Sequence, residues 1–138
     1  MLSGTGAQEL AAETLRYSRR GPRLSHTSAV PGELRSWLAA AGVALPSDLP
    51  GELAGLPTLG CRVLDFQGRP VALICFHGDR VYHLYVAPQN LFPDEVLANE
   101  VAFVERDGWG VALWADRDFA YVLNGAGRPA EFGLRRAG

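Results

Sequence analysis

Lysine is missing from this 138-residue chain: all 13 basic residues are arginine, set against 15 acidic residues and three histidines for a formal charge of −2. The absence reads as a bias of the source. So even a balance excludes the basic face that a nucleic-acid backbone requires, so no nucleic-acid partner is expected. Long apolar runs are missing as well. No window approaches the roughly twenty apolar residues of a membrane span, and the opening MLSGTGAQEL lacks the charged-then-apolar order of a secretion signal. As written the chain reads as soluble and unaddressed, a description that fits a piece of a larger membrane protein equally well. Cysteine is limited to Cys61 and Cys75. Two cysteines permit one intramolecular bridge at most, which excludes a disulfide scaffold and leaves the compartment open.

What is present is a nearly half apolar composition. A chain of this length buries roughly two thirds of its unfolded surface, enough to fold without metal or disulfide. From Gly60 to Val86, GCRVLDFQGRPVALICFHGDRVYHLYV, three short apolar runs are separated by QGR and GD. Runs this short, rich in β-branched and aromatic residues and broken by glycine, predict a three-stranded antiparallel meander. It holds both cysteines and two of the three histidines.

Upstream, Gly6 to Arg20 predicts a helix with a modest stripe of Leu10, Ala11, Thr14, Leu15 and Ser18. Gly21 to Ala29 reads as a linker. A second helix starts at Pro31, places Leu34, Trp37, Leu38 and Ala41 on one face, and stops at Gly42. Pro46, Pro50 and Pro57 then forbid a long helix before Leu59. Downstream, Ala87 to Glu100 predicts a short helix begun at Pro93, and Val101 to Glu105 a strand. Trp109 to Trp114 and Phe119 to Leu123 predict a hairpin, and Glu131 to Arg136 a closing helical turn. No internal repeat is evident beyond two hairpin-rich halves. The fold class expected is α+β: an antiparallel sheet of about five to six strands with one or two N-terminal helices on one face. Residues 1–29 form a helix and linker, and residues 30–138 a single domain.

Leu34-Arg35-Ser36-Trp37-Leu38, the run Leu59 to Leu73 (LGCRVLDFQGRPVAL), His83-Leu84-Tyr85-Val86 and Gly108 to Trp114 (GWGVALW) together span most of Val30 to Leu123. In this order the pieces resemble the extracytoplasmic C-terminal domain of bacterial transmembrane anti-sigma factors. In that family a separate cytoplasmic domain, often with a His and Cys zinc motif, holds the sigma factor, and one membrane helix joins the two domains. This chain has neither part. The resemblance therefore implies a non-enzymatic regulatory or interaction module outside the cytoplasm, with residues 1–29 as its membrane-proximal approach and a protein or membrane-linked signalling component as partner. A cytoplasmic location is the alternative. No cofactor is implied.

The cysteines and histidines pose a question of register. A three-residue loop Gln67-Gly68-Arg69 sets Cys61 opposite Cys75, with Cα atoms about 4.5–5.5 Å apart and within disulfide range. A two-residue loop puts them on opposite faces. At the next turn, a loop of Gly78-Asp79-Arg80 places His83 beside Cys75, whereas a loop of Gly78-Asp79 places Tyr82 there. Only one combination gathers Cys61, Cys75, His77 and His83 on one face, where such a set can bind zinc or copper or sense redox state. A small metal or thiol-redox domain using Cys61, Cys75 and His83 is thus the alternative function, and two packed core thiols the plain reading. Asp116 and Asp118, a carboxylate pair, read as turn residues. Tyr82, Tyr85, Trp109 and Trp114 are candidates to line a partner groove, or else to fill the core. No nucleophile elbow and no phosphate loop is present.

Overall fold

The computed structural model describes residues 5–21, 23–43, 45–46, 53, 55–66, 68–78, 80–88, 102–106, 108–116 and 118–126. The helices expected after Ala87 and in the C-terminal tail lie outside these residues.

The first helix, α1 (Thr5–Arg19), is rich in alanine and carries Arg16 and Arg19 in its last turn, where cations complement the helix dipole. Within its expected stripe, Thr14, Leu15 and Ser18 are buried, one turn apart on a single face. The second helix, α2 (Pro31–Ala40), begins with Pro31 in its first turn, and Ser28 braces that end by accepting from the Val30 N–H at 3.0 Å and donating to Glu33 at 2.9 Å. It ends at Gly42, whose φ of +87° suits glycine. There Gly42 N–H donates to the Ala39 carbonyl and Val43 N–H to that of Leu38, both at 3.0 Å, so the carbonyls of the last turn find partners beyond the helix. Val43 and Leu38 also share a core cluster.

Seven strands form one antiparallel sheet: β1 (His26–Thr27), β2 (Thr58–Phe66), β3 (Arg69–His77), β4 (Val81–Pro88), β5 (Ala102–Arg106), β6 (Trp109–Ala115) and β7 (Phe119–Ala126), in the order β1-β2-β3-β4-β7-β6-β5. The expected α+β class and its six strands are present. The segment expected as a linker adds the two-residue edge strand β1, paired with β2. No described helix is long and apolar enough to cross a membrane.

The order β2-β3-β4-β7-β6-β5 is two three-stranded meanders joined edge to edge by the β4–β7 pairing. Each meander opens with a two-residue turn ending in a glycine of positive φ, Gly68 (+78°) and Gly108 (+82°). A repeat unnoticed in the sequence becomes plain on this frame. Gly68-Arg69-Pro70-Val71-Ala72-Leu73 and Gly108-Trp109-Gly110-Val111-Ala112-Leu113 share the pattern Gly-x-x-Val-Ala-Leu and lead into β3 and β6, equivalent places about the β4–β7 pair. Their burial matches too: Val71, Leu73, Val111 and Leu113 belong to one cluster, Ala72 and Ala112 to the other.

Those clusters occupy the two faces of the sheet. Side chains alternate along a strand, so Ala72, Ile74 and Phe76 face α2 with its Leu34 and Leu38, while Val71, Leu73 and Cys75 face α1 with its Leu15. The helices therefore take opposite faces, not the single face expected, because the sheet buries side chains on both sides. Because both faces are covered, β3 and, but for His83, β4 read as continuous apolar runs: Val71 to Phe76 and Tyr82 to Ala87 are all buried.

At the edge, β1 crosses β2 so closely that a Cβ on Gly60 would lie 2.6 Å from the His26 carbonyl oxygen and 2.7 Å from Leu24. Gly60→Ala is therefore expected to destabilise the fold by about 1–3 kcal/mol. In hydrogen exchange, the loss should appear first at the Ser25 and Ser28 amides that bond Cys61 and Leu59. Protection there equal to the parent chain's would contradict this.

Candidate functional site: a polar seam beneath the first helix

The cysteine and histidine question is answered by the two turns. Phe66 pairs with Arg69, which makes the first loop two residues long and sets Cys61 opposite Ile74, on the α2 face, while Cys75 lies on the α1 face. Both are buried free thiols. His77 pairs with Val81, so the second loop has three residues and His83 stands opposite Cys75. His77 is exposed at its strand end. The expected four-residue ligand set is therefore split: Cys75 and His83 share a face, and Cys61 is across the sheet from them. No group of three or more candidate ligands that could hold a metal ion occurs among the described residues.

On the α1 face, polar side chains lie where an apolar interface is the simpler solution. Asn124 is fully buried in the middle of β7, and Thr14 and Ser18 come down on it from α1. The Ser18 hydroxyl donates to Asn124 Oδ1 at 2.8 Å and lies 2.7 Å from the Tyr85 hydroxyl. Each hydroxyl has one proton. With Ser18 donating to Asn124, the short contact is made by the Tyr85 proton, which is shared with the Thr14 carbonyl at 3.1 Å. Asn124 Nδ2 closes the ring by donating to Thr14 Oγ1 at 3.4 Å. Burial pushes the Tyr85 phenol well above its ordinary range, which keeps it protonated as this ring requires. The ring joins one turn of α1 to β4 and β7. The sequence signals were the stripe positions Thr14 and Ser18, and one asparagine interrupting the apolar strand after Leu123.

Beside the seam, register aligns Cys75, His83 and Asn124 across three adjacent strands, residue types that elsewhere activate a thiol. Their protonation runs the other way. Burial pushes the Cys75 thiol up to about 12, with Cys61 adding to the shift, and lowers His83 to about 4. The proton thus stays on sulfur and the imidazole is neutral. His83 Nδ1 is buried without a partner, and the ring lies against Trp109 with centroids 6.1 Å apart. Cys61 is likewise raised by burial.

The remaining candidates take structural places. Tyr82 and Tyr85 are buried on opposite faces, so the groove suggested for them is core. Trp109 and Trp114 are half-buried, and Trp114 stacks on Tyr121 at 5.1 Å. Asp116 is engaged locally: Oδ1 accepts from the amides of Asp118 and Phe119, and Oδ2 from the Tyr121 hydroxyl at 2.6 Å. Burial, then that hydrogen bond and the nearby carboxylates, raise the Tyr121 phenol. In comparisons with known proteins, no family model, curated protein or solved structure matches the chain.

His83 sets a pH dependence of known sign. Its pKa is lowered in the folded chain from an ordinary 6.5 to about 4, so between these values the unfolded chain binds the extra proton. The contribution of His83 is complete above pH 6.5 and falls away as the pH drops towards 4, by up to about 3 kcal/mol. Denaturant titrations between pH 7 and 4 should show His83→Leu losing less stability on acidification than the parent chain. Parallel losses would contradict the assignment.

Proposed function

We propose that this chain is a non-enzymatic regulatory or interaction module of the kind found outside the cytoplasm in membrane-anchored anti-sigma factors, acting through a protein or membrane-linked signalling partner. The observation that carries this reading is where the residues of the resemblance sit. Leu34 and Leu38 anchor α2, Gly60 admits β1, Gly68 turns the first hairpin, and the Val-Ala-Leu pieces fill β3 and β6. Together they form one framework, as a shared domain architecture requires, and are not scattered over unrelated surfaces.

The chemistry of the interior supports the same reading. Its thiols, imidazole and phenols are held neutral by burial, and the Asp116 carboxylate is used to build a turn. A domain that serves by its shape and surface needs interior groups of this inert sort. Position in a larger protein gives the direct test. The reading frame encoding the chain should carry a membrane helix and a sigma-binding domain immediately upstream, and deleting the present domain from that protein should change transcription from the sigma factor's promoters. A free-standing cytosolic frame contradicts the proposal.

A further inference from the structure

His83 lies in β4 on the face that α1 covers, opposite Cys75 on β3 and Asn124 on β7. Only 6% of it is exposed, and its Nδ1 is buried without a partner. No charge among the described residues is placed to balance a proton on this ring. Cys75 and Tyr85 are held protonated by burial, and Asn124 and Trp109 do not titrate. From α1, Thr14, Leu15 and Ser18 are the side chains buried against this face, with Tyr17 half-buried beside them. The charged groups stay outside: Glu13, Arg16 and Arg19 are exposed, the first two paired with each other, and Arg80 donates to the Ala126 carbonyl. His77, two residues beyond Cys75, is exposed at its strand end. An imidazolium has two N–H donors and a full charge, which a site of this kind cannot hold. Because Nδ1 is sealed from water, the proton is taken up only when the layers part.

Which layer parts follows from how each is held. β4 is bonded along both edges, to β3 and to β7, so freeing it splits the sheet. α1 is held by Leu15 and by the hydroxyl ring, whose Asn124 is the neighbour of His83 across the strand pair. From this placement we infer that the docking of α1 is linked to a proton: the helix leaves the sheet as a unit when His83 is protonated, before the two meanders separate. Acid thereby shifts the domain from a docked to a released form, a regulatory device that needs only this interface and stands apart from the proposed function.

Amide hydrogen exchange on the whole chain, expressed as protection factors at each pH, measures such opening residue by residue. Burial lowers His83 to about 4 while α1 is docked, and release returns it towards 6.5. Between those values α1 amides should lose protection roughly tenfold per pH unit, the slope for one proton. At every pH they should remain less protected than the Leu84 and Leu123 amides in the sheet centre. His83→Leu should abolish the slope in α1, and His77→Leu should leave it intact. A second reporter in the parent chain is independent of these variants. At pH 5 a disulfide reagent should label Cys75, on the α1 face, before Cys61, on the α2 face. Four results would each overturn the inference: α1 protection that does not change with pH, α1 amides as protected as Leu84 and Leu123 so that the helix opens only with the whole fold, a slope that survives in His83→Leu, or labelling of Cys61 before or together with Cys75.

Discussion

The antiparallel pairing of β4 with β7, Leu84 opposite Leu123 and Tyr85 opposite Val122, merges two short meanders into a sheet that is buried on both sides. A sheet with one wet face needs one helix. This sheet needs two, and the chain supplies α2 for the face of Ile74, Phe76 and Leu84 and α1 for that of Leu73, Cys75 and Tyr85. Most other features answer to that requirement, including the continuous burial of β3 and β4 and the neutral state of Cys75, His83 and Tyr85 between the layers.

The two helices dock by different means. Leu34 and Leu38 seat α2 by apolar burial, with Val43 closing over its end. The α1 interface instead mixes Leu15 with Thr14 and Ser18, whose hydroxyls meet Tyr85 and Asn124. Apolar contact sets no unique register for a helix on a flat face. A ring of hydrogen bonds does, since a slip of one turn leaves Asn124 buried and unsatisfied.

Much of the frame could be read from residue pattern. Glycine-punctuated apolar runs placed β2, β3 and β4, and Pro31 with Gly42 marked both ends of α2. Two things escaped. Pattern within one strand does not say how many residues a turn uses, so the pairing of Phe66 with Arg69, which separates Cys61 from Cys75, was decided by three-dimensional closure. The seam escaped because Ser18 and Asn124 are remote in sequence, and each alone is an ordinary polar residue. The Gly-x-x-Val-Ala-Leu repeat was in plain view, yet it acquires meaning only when β3 and β6 are seen at equivalent distances from the β4–β7 pair.

The central claim is that α1 is keyed to the sheet by the hydroxyl ring, and a double-mutant cycle of Ser18→Ala with Tyr85→Phe tests it most directly. Each change removes one oxygen. If the ring acts as a unit, the stability losses measured by denaturant titration will be non-additive, with a coupling of at least about 0.5 kcal/mol. Losses that simply add, to within about 0.3 kcal/mol, would mean that the hydroxyls act independently and that apolar contact alone holds α1 in place.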